Sequence, residues 1–125
     1  MFDITVEKTY HIGSQRVADL LVTAFEGGSN YWISHASPEF AYNLADLDTN
    51  WYATASFLNR GDWRIRITED EGDEHFVTKH NLAKGFELLA QDNIQILDSI
   101  VDENYDASDA DIWLQLAIFG GIVYG

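Results

Sequence analysis

Carboxylates are the most numerous side chains in this sequence that could carry out chemistry. The chain has 21 Asp and Glu residues against seven Lys and Arg, which gives a formal net charge of −14. Two carboxylates can act as general acid and general base where an apolar pocket raises the pKa of one of them, and no sequence pattern identifies such a pocket. Asp106 and Asp109 also fit a helix start, where the helix dipole favours negative side chains. Capping and solvation are therefore favoured over catalysis.

The acidic residues are unevenly distributed along the chain. No Lys or Arg follows Lys84. We predict a partner-binding surface formed by six carboxylates of the following segment: Asp98, Asp102, Glu103, Asp106, Asp109 and Asp111. The acidic turn at residues 69–74 extends this surface in one version of the hypothesis. Such a surface disfavours direct binding to nucleic acid, which needs clustered Lys and Arg, and favours a protein partner with a basic surface. Acidity that serves solubility alone is an open alternative.

The four histidines, at positions 11, 35, 75 and 80, do not occur at a recognised metal-ligand spacing. The acidic run at residues 68–74 lacks the residue order of an EF-hand loop, and the chain has no Cys. A metal-dependent hydrolase built on His75 and His80 is therefore the lowest-ranked hypothesis. We predict no catalytic residue, no metal and no cofactor.

Aromatic side chains close to a pair of arginines support a second hypothesis, a small-ligand or nucleotide-binding protein. Its pocket would be lined by Tyr31, Trp32, Trp51 and Trp63, and Arg64 or Arg66 would bind an anionic group of the ligand. Aromatic stacking combined with a guanidinium is a common way to hold bases and phosphates.

Apolar spacing predicts the helices that would position these residues. Residues 15–26 read as a helix that ends at Gly27 and Gly28, and Thr78 caps a second helix that includes Leu82, Phe86 and Leu89. A short helix follows Asn93, and a final helix capped by Asp106 or Ser108 ends at Gly120.

Alternating and β-branched runs predict the strands. Residues 2–7 alternate as in an edge strand, 31–33 favour a short strand, and 51–58 and 63–68 read as a hairpin. A turn at 69–74 leads to a strand at 75–77, which makes a meander. Residues 38–47 fit either a short helix or a loop.

These elements predict one α+β domain over residues 1–125, a small, mainly antiparallel sheet with three to four helices packed on one face. The N-terminal residues lack the apolar region of a signal peptide and no stretch is long enough for a membrane span, so a cytoplasmic location is expected. The apolar C-terminus could complete the core or form a homodimer interface, and both alternatives stay open.

Three segments carry a resemblance to known proteins. FEGGSNYW at 25–32, FVTKHNLAKGFELL at 76–89 and DADIWLQLAIFGGIVYG at 109–125 resemble a family of small uncharacterised bacteriophage and prophage proteins. The resemblance extends from about Val17 onward and implies no activity, cofactor or catalytic residue. It implies a phage product in the bacterial cytoplasm. Small acidic phage proteins often inhibit host defence or replication proteins, some by imitating the phosphates of DNA, so it also implies a DNA mimic or anti-defence inhibitor.

Overall fold

The computed structural model describes residues 2–40 and 51–125. Within these ranges the chain forms five α-helices, three β-strands, a π-helical turn and a 3₁₀ turn. In chain order the elements are α1 (Ser14–Thr23), the π-helical turn (Ala24–Gly28), β1 (Ile33–Phe40), the 3₁₀ turn (Trp51–Ala53), α2 (Ala55–Leu58), β2 (Trp63–Glu69), β3 (Glu74–Val77), α3 (Lys79–Asp92), α4 (Ile94–Val101) and α5 (Ala107–Phe119).

The strands form an antiparallel sheet in the order β1-β2-β3. In the central strand, Ile65 and Ile67 are buried, while Arg64 is exposed and Arg66 is only partly buried, so the two faces of the sheet differ. The apolar face packs into one core together with side chains of α1, α3, α4 and α5. Pro38 lies in the edge strand β1, where its missing N–H can be tolerated. The predicted α+β class is confirmed.

The predicted helices are present, with ends set by local capping. Asp106 caps α5, and Gly120 ends it in the left-handed conformation, with φ of 72°. Thr78 precedes α3 in a capping box with Asn81. The π-helical turn follows α1 directly, so the helix predicted over 15–26 is confirmed but changes its winding at Ala24.

The strand predicted at residues 2–7 is wrong. The segment has no regular secondary structure, and Phe2, Ile4 and Val6 are 86%, 73% and 85% exposed. Alternation indicates which side chains could share a face, but a strand also needs a neighbouring edge to pair with, and none of the three described strands pairs with this segment.

The hairpin predicted from 51–58 and 63–68 is also wrong. Trp51 begins the 3₁₀ turn, and α2 follows it, so β2 pairs instead with β1, for example Ala36 with Ile67. The aromatic side chains that suggested a strand pack against one another: the rings of Trp51 and Phe57 lie 4.8 Å apart at 62°. Packing thus overrides the β-propensity of this segment.

The remaining sheet predictions hold with altered limits. The short strand predicted at 31–33 is wrong for Tyr31 and Trp32, which lie in a turn, and only Ile33 belongs to a strand, the longer β1. The strand β2, the turn and β3 follow the predicted order. Of the segment 38–47, residues 38–40 belong to β1, and the rest lies outside the described residues.

Candidate functional site

Four of the six predicted partner-binding carboxylates lie together where α4 joins α5. We call Asp102, Glu103, Asp106 and Asp109 the loop carboxylates. Asp106 accepts a 2.9 Å hydrogen bond from the backbone N–H of Asp109, whose own carboxylate accepts one of 3.2 Å from the N–H of Asp106. Asp102, Glu103 and Asp106 are exposed, and Asp109 is partly buried. This arrangement supplies both a helix cap and a concentration of surface charge.

Basic residues already compensate two members of the predicted set. Asp98 accepts a 2.7 Å hydrogen bond from the Tyr10 hydroxyl and lies 3.2 Å from the Lys8 ammonium, and together these bonds lower the pKa of the Asp98 carboxyl. Arg16 donates to Glu103 and to the backbone carbonyl of Ile100 at the end of α4. The negative field of this region therefore comes mainly from Asp102, Asp106 and Asp109.

Asp111 does not belong to the exposed surface, because only 7% of it is accessible. Its carboxylate accepts 2.7 and 2.8 Å bonds from the Ser29 hydroxyl and the Trp32 indole N–H. Tyr31 and Gln115 donate to its other oxygen at 2.8 and 3.0 Å. A carboxylate has about four lone-pair sites, so these four bonds leave no acceptor for a ligand. The geometry is that of a structural anchor.

Gln115 extends this network to the C-terminus. It is completely buried, and its side-chain oxygen accepts the backbone N–H groups of Val123 and Tyr124 at 2.9 and 2.8 Å. The Tyr124 ring stacks on Trp32 at 5.1 Å and 11°. Asp111 and Gln115 thus bind the segment 25–32 to the chain end, so the first and last segments of the family resemblance meet in space.

A second buried carboxylate, Glu69, joins the sheet to the C-terminus. The Tyr124 hydroxyl donates to one oxygen, and His75 Nε2 lies 2.6 Å from the other. These two bonds, with that of Tyr124 the stronger influence, lower the pKa of the Glu69 carboxyl. The same contact raises the pKa of Tyr124 to about 12.

The turn between β2 and β3 carries a second group of surface charges. We call Asp70, Glu71, Asp73 and Glu74 the turn carboxylates. All four are exposed, and within the described ranges none of them forms an ion pair with Lys, Arg or His. Gly72 adopts φ of 99° at the centre of the turn, a conformation that suits glycine.

The residues of the predicted aromatic pocket are not brought together. Trp32 is 2% exposed beside Asp111, and Trp63 is 6% exposed with its indole N–H donated to the Leu58 carbonyl. Tyr31 also donates to Asp111, while Trp51 and Trp63 both pack against Phe57. The four aromatic residues therefore form two pairs with different neighbours, and not one group.

The two arginines of that hypothesis lie on the outer face of the sheet. Arg64 and Arg66 contact the two oxygens of Glu39 at 2.7 and 2.8 Å, and both guanidinium groups lie over the ring of Phe76. Because Glu39 already binds both, neither is a free anion receptor beside the predicted aromatic residues.

The described chain contains a different cavity, of about 310 Å³, at the junction of α1, α2, β2 and α3. Trp63, Leu82 and Phe86 form part of its apolar wall, and Lys79 lies at its lining. Trp63 is the only residue of the predicted aromatic pocket in this lining.

The described ranges contain neither a metal cluster nor a membrane-spanning helix. In the two described ranges, no group of three or more His, Asp or Glu is placed to hold a metal ion. His75 is occupied by Glu69, and His80 is exposed on α3. No helix in the described part of the chain has the length and apolar character needed to cross a membrane.

The structural roles of Asp111 and Gln115 were not predicted from the sequence. Their spacing of one helical turn was the available signal, because two polar residues four apart on a helix share one face. Their immediate neighbours, including Ala110, Leu114 and Leu116, are apolar, so α5 offers little solvent-facing surface at this point. A polar pair in such a helix indicates an internal hydrogen-bond network.

Comparisons with protein-family models, with curated proteins and with solved structures find no match to this chain. The resemblance to phage proteins stays a prediction.

Proposed function

We propose that this chain is a non-enzymatic binding protein that uses its acidic surface to engage a protein with a basic surface. The observation that carries the proposal is the uneven neutralisation of charge. Six of the seven Lys and Arg residues form ion pairs with described carboxylates, yet only Arg16 reaches the loop carboxylates and none reaches the turn carboxylates. Both groups thus keep a negative field available to a partner.

The physical basis is electrostatic complementarity. The capping box holds the carboxylates of Asp106 and Asp109 in place, and a net charge of −14 adds long-range attraction for a cationic partner. Of the predicted contact residues, the proposal keeps the four loop carboxylates, including Glu103, whose side chain stays 72% exposed beside Arg16. It omits Asp111, which is buried, and Asp98, which both Lys8 and Tyr10 bind.

The proposed class of partner is a bacterial DNA-binding protein. The family resemblance supports a phage-encoded product acting in the host cytoplasm, where a basic DNA-binding groove would accept carboxylates in place of phosphates. Inhibition of a host defence or replication protein by DNA mimicry is the function that follows from this choice of partner.

The first test is affinity capture from a bacterial lysate with the tagged protein, eluted in salt steps. We expect a DNA-binding protein that is released as salt rises, because screening weakens contacts between surface charges. The captured protein is then bound to a labelled DNA duplex, which this chain should displace. Capture of no DNA-binding protein, or failure to displace the duplex, would contradict the proposal.

Charge-neutralising variants identify the surface involved. The loop variant combines Asp102→Asn, Glu103→Gln, Asp106→Asn and Asp109→Asn; Asn keeps the capping geometry at position 106. We expect it to weaken binding at least about tenfold. A matched control removes four exposed charges elsewhere through Asp3→Asn, Glu7→Gln, Glu87→Gln and Asp92→Asn. If the loop variant and the control weakened partner binding equally, binding would depend on net charge alone, and a defined binding surface would be refuted.

The turn variant, with Asp70→Asn, Glu71→Gln, Asp73→Asn and Glu74→Gln, tests whether the surface extends to the turn carboxylates.

The alternative function is ligand binding by the predicted aromatic and arginine residues. The structure lends it no support, because those residues do not form one group.

A further inference from the structure

The cavity between α1, α2, β2 and α3 has the size and composition of a small-molecule site. Its volume of about 310 Å³ lies at the lower end of the range, about 300–1,000 Å³, typical of ligand pockets. Most of its wall is apolar, contributed by Ile12, Val17, Leu58, Trp63, Leu82 and Phe86. A ligand that fills this space would gain free energy by burying apolar surface.

Lys79 gives the polar part of the cavity lining a positive charge. Lys79 is the first residue of α3, where the helix dipole adds a partial positive charge. The described ranges contain every Lys and Arg of the chain, and Lys79 is the single one that forms no ion pair with a described carboxylate. In a chain with 21 acidic residues, an ammonium that pairs with none of the described carboxylates and lies beside an apolar cavity is a specific feature.

We propose that this cavity binds a small monocarboxylic acid with an apolar body, whose carboxylate pairs with Lys79 while its hydrocarbon part lies against Trp63, Leu82 and Phe86. Ser14 and Asn59, also in the lining, offer further hydrogen-bond partners for the acid group. A medium-chain fatty acid such as octanoate combines these two properties.

Charge selects a small, singly charged ligand over larger anions. One ammonium matches one carboxylate, whereas a nucleic acid or an anionic membrane surface would bring many negative charges toward a protein of net charge −14. This repulsion disfavours polyanions, so we assign the site to a free acid and not to the headgroup of a membrane lipid.

The test is a calorimetric titration of the full chain with octanoate and, separately, with octanol. Lys79→Met removes the charge and keeps an apolar stem of similar length. We expect it to weaken octanoate binding about tenfold and to leave octanol binding unchanged, because only the acid uses the ammonium. Lys84→Met is the matched control: Lys84 lies on the same helix, pairs with Glu87 at 3.6 Å, and is outside the cavity lining. It should change neither affinity.

A second variant tests the cavity independently of charge. Ala83 lines the cavity and is exposed, so Ala83→Phe should fill the space without disturbing the core. We expect loss of both octanoate and octanol binding with unchanged circular dichroism. Retention of both affinities in Ala83→Phe would place the ligand elsewhere and overturn the proposal.

Three other results would also overturn it. The first is the absence of saturable octanoate binding to the unmodified chain. The second is an equal loss of octanoate affinity in Lys79→Met and Lys84→Met. The third is binding to anionic vesicles in place of octanoate, which would assign the site to a membrane surface.

Discussion

Asp111 and the loop carboxylates share one stretch of chain and one side-chain chemistry, but their surroundings are opposite. Asp111 is buried and accepts four side-chain hydrogen bonds, whereas Asp102 and Asp106 are exposed to solvent. The difference arises because α5 starts at the surface and then runs into the core. Asp106 is therefore in contact with water, whereas Asp111, little more than one helical turn later, is surrounded by protein. The donors around a carboxylate, and not its residue type, decide whether it serves stability or recognition.

The largest effect should come from removing the buried carboxylate. Asp111→Ala leaves the Ser29 hydroxyl and the Trp32 indole N–H without their acceptor, and it also opens a small void. We expect the free energy of unfolding to fall by about 2–4 kcal/mol. Urea denaturation followed by circular dichroism measures this value.

Asp102→Ala is the matched surface substitution for that experiment. Asp102 is exposed and forms no ion pair with a described residue, so its loss should change stability by less than about 0.5 kcal/mol. Similar losses from Asp102→Ala and Asp111→Ala would invalidate the distinction between anchor and surface.

A somewhat smaller effect is expected from the glycine pair that brings Ser29 to Asp111. A Cβ at Gly28 would lie 2.1 Å from the carbonyl oxygen of Ala107, at the start of α5, so Gly28→Ala must separate the two segments. We expect a loss of about 1–3 kcal/mol in the same denaturation assay.

Gly27→Ala is the control for this close approach. A Cβ at Gly27 meets its nearest atom at 3.8 Å, which is ordinary van der Waals contact, so the substitution should be neutral or slightly stabilising. If Gly28→Ala were as well tolerated as Gly27→Ala, the tight junction between the π-helical turn and α5 would not be needed for folding.

The smallest effect concerns the Glu69–Tyr124 contact and depends on pH. The pKa of Tyr124 rises from 10.0 to about 12, so its stabilising contribution is complete below pH 10 and is lost as the pH rises through about 12. The lowered pKa of Glu69 gives a contribution that is present above its ordinary value of 4.5 and is lost as the pH falls. Tyr124→Phe should therefore remove stability at neutral pH and flatten the curve at both extremes.

Thermal unfolding of the wild-type and Tyr124→Phe chains across the pH range measures this difference. Tyr105→Phe serves as the control, because the Tyr105 hydroxyl makes no hydrogen bond to a residue of the described ranges. A wild-type curve parallel to that of Tyr124→Phe at alkaline pH would refute the linkage.

Local patterns were sufficient for much of the fold. The four longer helices, the acidic β2–β3 turn and the cap at Asp106 all depend on neighbours within a few residues, and the sequence predicted them. The candidate site was predicted only in part, because Asp102, Glu103 and Asp106 are exposed as expected, whereas Asp109 is partly buried and Asp111 is buried. Nothing in the local pattern showed that Ser29, Tyr31 and Trp32 would donate to it.

By itself, the sequence determined the acidic character of the chain, the helical periodicity of α1, α3, α4 and α5, and the strand character of β2 and β3. The tertiary structure decided the pairing of β2 with β1, the helical form of 55–58, and the position of Lys79 beside an apolar cavity. The physical reason is the range of the interactions: capping and periodicity act over one or two turns, whereas strand pairing, burial and cavities depend on contacts between residues far apart in the chain.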